Sequence, residues 1–237
     1  MSANKYRLPL SNNGELLAIQ NVPVGDGTLV LDGFRVVDTG FLPECAGCCA
    51  VAAVLRWLMK AEGFKDLQPS RLFLNYNANE GWGDASISSV FKGIDVHGVC
   101  AESLFDYEAR FVGIKPPRYC YKNSKLPFDI EWGRIKQDVN VVKQALKTGV
   151  PIVVGMLVYS SFNRVCEDGI VPCPVAGETV IGTQPVVVIG WDDVRGMFKI
   201  MNVEGTWWGE YGFGWMEYKH LADPNIVVEL WVCRRKA

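Results

Sequence analysis

Histidine is nearly missing from this sequence: His97 and His220 are the two examples in 237 residues. Chemistry that needs an imidazole base therefore has two candidates at most. A charge excess is missing too, because 24 basic side chains stand against 26 acidic ones for a formal net charge of −2. That balance lacks the concentrated positive field of a nucleic-acid or anionic-membrane binder. The longest nearly apolar run, 150–159, is about half of the ~20 residues a bilayer requires, and Pro151 and Gly155 interrupt it. The opening residues, Met1-Ser-Ala-Asn-Lys-Tyr-Arg, contain no apolar stretch of the secretory kind. An intracellular, reducing setting follows as the expectation, with the eight cysteines (45, 48, 49, 100, 120, 166, 173 and 233) as free thiols. Internal repeats, low-complexity tracts and long linkers are absent.

What is present is the composition of a folded body. Hydrophobic residues make up 49 % and aromatics 11 %, too much apolar surface for a disordered chain. The length suits one large domain, or two lobes that share a cleft. Residues 1–44 carry no strong period and, with short β-leaning pieces at Thr28–Leu31 and Phe34–Val37, read as extended chain packed over something else. From Cys48 to Glu62 neither Gly nor Pro occurs, and Val51, Val54, Leu55 and Leu58 fall at helical spacing until Gly63. Further helices are predicted over 70–77, capped by Ser70, over 86–96 and over 139–147. Beyond Gly149 the period changes, and 150–159, 186–191, 197–202, 213–218 and 226–232 read as strands. Helices first and strands later argue an α+β fold.

Three segments carry the chemistry. Leu42-Pro-Glu-Cys-Ala-Gly-Cys-Cys-Ala-Val enters the first helix, Gly182-Thr-Gln-Pro-Val-Val-Val-Ile-Gly-Trp opens a strand, and Met201-Asn-Val-Glu-Gly-Thr-Trp-Trp-Gly follows. In this order they resemble the papain-like (C1-type) cysteine peptidases, in which Cys-Gly-Ser-Cys-Trp-Ala opens a central helix, a Gly-His-Ala strand brings the base and Asn-Ser-Trp-Gly comes next. Pro69-Ser-Arg-Leu-Phe-Leu-Asn-Tyr, Gly98-Val-Cys-Ala-Glu-Ser-Leu-Phe-Asp-Tyr and Tyr159-Ser-Ser-Phe look like family segments in family order. The likeness runs from about residue 36 to the C-terminus. It is strongest to the compact versions of bacteria and large DNA viruses that have no recognisable propeptide. It implies two lobes: a mainly helical subdomain over 45–138 around a central helix, and a mainly β, barrel-like subdomain from 1–44 and 139–237.

The resemblance places the nucleophile at Cys48, where helix N-terminal amides should lower the thiol pKa. The matching base position holds Gln184, a carboxamide that neither accepts nor returns a proton usefully near neutral pH. Asn202 matches the residue that orients the imidazole. Glu204 stands in place of the shielding Trp and is expected to raise the thiol pKa. Leu42 stands in place of the Gln that completes the oxyanion hole. Neither His97 nor His220 falls at the base position.

Other meanings of these residues are weaker. A Cys45-Ala-Gly-Cys48 redox motif should follow a strand in a βαβ unit, and zinc usually wants two well-spaced ligand pairs, for which Cys166 and Cys173 are a poor second half. Cys49, Cys100, Cys120 and Cys233 read as small apolar filling. Trp207, Trp208 and Trp215 read as packing of the β lobe rather than a sugar or peptide platform, and Asp192-Asp193 as a solvated turn. The resemblance thus implies a peptidase homologue without its base: a structural or protein-binding component that takes protein partners or peptide segments in the interlobe cleft. No cofactor, metal or nucleic acid is called for, and the viral look-alikes add a particle-associated role by analogy. The alternative is an active thiol peptidase in which Cys48 works with a non-standard base.

Overall fold

The computed structural model describes residues 6–10, 14–79, 81, 83–165 and 168–236. Helices α1 (Ala46–Ala61), α2 (Arg71–Asn79) and α3 (Ile87–His97) come first, followed by the short α4 (Arg118–Lys122). The capping residues behave as their chemistry predicts. Ser70 Oγ accepts from the Phe73 amide at 3.1 Å and Ser86 Oγ from the Ser89 amide at 3.1 Å, which supplies acceptors to amides that have no partner inside the helix. The first ten residues of α1, 46–55, are all buried. A helix apolar on every side belongs in the middle of a structure, and α1 runs between the other helices and the sheet. Helix α5 (Val139–Lys147) is capped by Asp138, which accepts from Asn140 and Val141.

The strands are β1 (Thr28–Val30), β2 (Ile130–Arg134), β3 (Ile152–Tyr159), β4 (Val180–Asp192), β5 (Met197–Asn202), β6 (Phe213–Glu217) and β7 (Val227–Arg235), with α6 (Tyr218–Ala222) between the last two. All pairings are antiparallel, in the order β2-β7-β3-β4-β5-β6, and β1 pairs with β4 beyond the end of β3. Side chains alternate between the two faces, as strand geometry requires. Val153, Val187 and Ile189 join the core that contains α1, α2 and α3, whereas Ile152, Val154, Val186 and Val188 join a second core with Val142, Ala145 and Leu146 of α5. The sheet is therefore a middle layer with helices on both sides.

The predicted elements are present, with β4 longer than its apolar run. Three were not foreseen: β2, α4 and α6 are five residues each, too short for a period to emerge from the sequence. Residues 34–37, which lean toward strand in the sequence, form none. Strand β4 ends at Asp192 and Asp193 opens the turn as expected, but its carboxylate is fully engaged: it binds the Lys143 ammonium, the Tyr218 hydroxyl at 2.8 Å and the Gly27 amide at 3.0 Å. Cys45, Cys48, Cys49, Cys100, Cys120, Cys173 and Cys233 are free thiols, and Cys166 lies outside the described residues. No helix among the described residues is long and apolar enough to cross a membrane.

Candidate functional site

Cys48 sits in the first turn of α1, behind a 3-10 turn over Pro43–Cys45 that Leu42 precedes. The preceding residue has to be glycine for lack of space. A Cβ at Gly47 would lie 2.5 Å from the Ala85 carbonyl oxygen and 3.1 Å from Leu8 Cδ1. The sulfur itself is fully buried and donates to Asn75 Oδ1, on α2, at 3.7 Å. Its pKa departs from the expectation. Desolvation pushes the Cys48 thiol well above its ordinary value, and the neighbouring Cys45 and Cys49 push the same way. Burial in a dry core outweighs the helix amides, because a thiolate there loses all of its water.

The sheet contributes a second wall, over β4 and β5. Val186 is the register partner of Asn202, and Gln184 lies two residues back along β4, so the two amides share a face. Gln184 Nε2 donates to Asn202 Oδ1 at 3.0 Å and toward Glu204 Oε1 at 3.5 Å. Asn202 Oδ1 also accepts from the Val203 amide at 2.8 Å, while the buried Asn202 Nδ2 has no hydrogen-bond partner among the described residues. All three side chains are buried. Asn202 therefore holds a carboxamide where the resemblance would have it hold a ring. Glu204 lies beside the base position, facing Gln184 and Tyr6, and burial first and then this carboxylate push the Tyr6 hydroxyl up; the rise at Cys48 comes from desolvation, Cys45 and Cys49. Leu42 is buried in the core of the helical side, and its side chain offers no donor.

Both histidines make their contacts elsewhere. His97 stands edge-on to Tyr121, ring centroids 5.8 Å apart. His220 is buried with Nδ1 3.7 Å from Cys173 Sγ, and desolvation lowers its pKa to about 4. The aromatic stretch divides: Trp208 is buried and stacks on Phe162 at 5.5 Å, while Trp207 and Tyr211 are exposed. Beside the sulfur, Cys49 Sγ meets the Tyr107 hydroxyl at 3.9 Å. The Arg71 guanidinium lies 3.5 Å over the Tyr107 ring and grips Glu102 through two bonds of 2.8 Å. No group of three or more His, Cys, Asp or Glu among the described residues is placed to hold a metal.

A strap from the N-terminal region crosses between the two walls. The Leu8 amide donates to the Thr183 carbonyl at 3.2 Å, and the Thr183 amide donates back to the Tyr6 carbonyl at 3.3 Å. Thr183 is the residue before Gln184. On the helical side Arg7 pairs with Asp84 at 2.9 Å, and Leu8 packs against Gly47, the residue before Cys48. Gly182 admits the strap, since a Cβ there would lie 2.3 Å from the Tyr6 carbonyl oxygen. Asn75 and this strap were not singled out in the sequence. Each had a signal: Asn75 is a polar residue closing the buried run Leu72-Phe73-Leu74, and Tyr6, Leu8 and Leu10 alternate with period two.

No protein-family model matches the chain. An uncharacterized peptidase C1-like protein of Acanthamoeba polyphaga mimivirus is 31 % identical over 213 residues, covering 83 % of this chain and 68 % of the relative. Among solved structures, xylellain, a cysteine protease from Xylella fastidiosa, superposes with a TM-score of 0.86 at 24 % identity, over 99 % of this chain and 97 % of that one. Procathepsin B of Trypanosoma congolense gives a TM-score of 0.73 at 13 % identity, over 98 % and 87 % of the two chains. By sequence and by fold, this chain belongs to the papain-like C1 peptidase family.

Proposed function

We propose that the protein is a non-catalytic member of this family, a structural or protein-binding component whose cleft holds an extended peptide segment. The observation that carries this is the company of the sulfur. Cys48 Sγ meets the Asn75 amide oxygen, while His220 contacts Cys173 and His97 contacts Tyr121. Attack on a peptide carbonyl needs a group that takes the thiol proton and later gives one to the leaving amine. A carboxamide at Gln184 does neither. A leucine at position 42 supplies no N–H to a developing oxyanion, and loss of one such donor costs on the order of 10²–10³ in rate. The cleft keeps its hold on backbone all the same. Residues 6–8 run beside Thr183 through a parallel bridge and are anchored by Arg7 to Asp84. That is strand addition, a general way for a protein to bind an extended segment. A protein assembly is the setting that suits such a body, and the viral relative is in keeping with one inside a particle.

The test is cleavage of a broad peptide library read by mass spectrometry, comparing the protein with its Cys48→Ala variant. Identical product spectra are expected from the two. Products made by the protein and absent from Cys48→Ala would replace this proposal with a working thiol peptidase that uses an unusual base.

A further inference from the structure

Away from the Cys48 site, the helical side carries a cavity of about 1140 Å³ whose lining includes Tyr76, His97, Lys115, Arg118, Tyr121 and Lys122. Its size exceeds the roughly 300–1,000 Å³ of ordinary small-ligand pockets. The lining carries three cationic side chains, Lys115, Arg118 and Lys122, and no carboxylate is among its described residues. That is unusual in a chain of net charge −2. Many of the other cations are paired, as Arg56 with Asp66, Arg71 with Glu102 and Arg234 with Glu131. Lys115, Arg118 and Lys122 are exposed, and none forms a salt bridge among the described residues.

Arg118 and Lys122 are four residues apart on α4, hence neighbours on one helix face, where like charges repel. The floor beneath them is fixed. Tyr121 packs on Phe73 at 5.1 Å and on the His97 ring, and its hydroxyl donates to Asn77 Oδ1 at 3.1 Å. A wide trough with spaced cations over a rigid aromatic floor suits a chain of negative charges better than a single compact anion. Cβ atoms at i, i+4 stand about 5–6 Å apart, close to the ~6.8 Å between alternate residues of an extended peptide.

We propose that this trough is a docking site for an acidic peptide segment of a protein partner, with Lys115, Arg118 and Lys122 pairing its carboxylates and the tyrosines taking its apolar stems. It is separate from the Cys48 cleft and does not depend on whether that cleft is catalytic. The test titrates the protein into a fluorescein-labelled ten-residue peptide rich in Glu and Asp and reads anisotropy. Saturable binding is expected that weakens at least tenfold in Arg118→Gln/Lys122→Gln and falls with added salt. The same peptide with Gln and Asn in place of the acids is expected to bind at least tenfold more weakly. Removing two exposed cations elsewhere, in Lys136→Gln/Lys219→Gln, is expected to leave binding unchanged. Absence of saturable binding, an equal loss in that control, or full binding by the Arg118/Lys122 variant would overturn the proposal. So would saturable binding of pyrophosphate that needs Arg118 and Lys122 in a protein that ignores the peptide, since that describes a small-anion site.

Discussion

The strap over Cys48 makes a quantitative prediction. Leu8 is 2 % exposed, belongs to the same core as Cys48, and packs against the residue before it. Shortening a buried leucine to alanine costs about 2–5 kcal/mol. The strap is held at its other points by two backbone hydrogen bonds to Thr183 and by the Arg7–Asp84 pair, so Leu8 carries much of its attachment. Taking about 2–3 kcal/mol for Leu8→Ala, the population with the strap lifted rises roughly 30- to 150-fold. Local opening of this kind limits access to a buried thiol. Alkylation of Cys48 at pH 8, followed by peptide mass spectrometry, is therefore expected to accelerate by that factor. Cys233 and Cys120 are equally buried but far along the chain from the strap, and they report global unfolding. An unchanged Cys48 rate, or equal acceleration of Cys233 and Cys120, would refute the idea that the strap closes the site locally.

Three further outcomes follow from single residues. His220 is buried with its pKa lowered to about 4 from 6.5, first by desolvation, against the opposing pull of Glu217 and Asp223. Between those values the unfolded chain binds a proton that the folded chain does not, so stability falls as pH falls, by about 1.4 kcal/mol per pH unit from this group; urea midpoints at pH 6.5 and 4.5 should show a shallower loss in His220→Gln. Gly47→Ala forces a Cβ to within 2.5 Å of the Ala85 carbonyl, and calorimetry should find a loss of about 1–3 kcal/mol, where no loss would mean the backbone relaxes freely. Asp193→Asn weakens the bond to the largely buried Lys143 and is expected to cost about 2–3 kcal/mol by urea unfolding, a loss that Lys143→Met should share rather than add to.

Much of the fold was legible because its long elements announce themselves. The stretch from Cys48 to Glu62 has no breaker and a helical period, and α5 starts at Val139 and ends at Lys147 where the sequence placed it. Short elements were not: α4 has too few residues for a period, and β2 becomes a strand by pairing with β7, about a hundred residues away. At the site, Cys48, Gln184, Asn202, Glu204 and Leu42 could be named from motif order, but their interactions could not. Whether helix amides or burial governs the Cys48 thiol depends on how much water reaches it, and the strap that excludes water comes from residues with little sequence signal of their own. The second neighbour of Glu204 was hidden for the same reason. Tyr6 lies nearly two hundred residues away in the chain and meets it through tertiary packing alone.

The central claim is that no base faces the Cys48 sulfur, and the pH dependence of its alkylation rate tests it most directly. With Leu8→Ala to admit the reagent, the account predicts a rate that rises through a single ionisation above pH 9, in line with a thiol that burial pushes up, with no plateau at acid pH. A reactive plateau between pH 5 and 8, the mark of a thiolate paired with a protonated base, would contradict it.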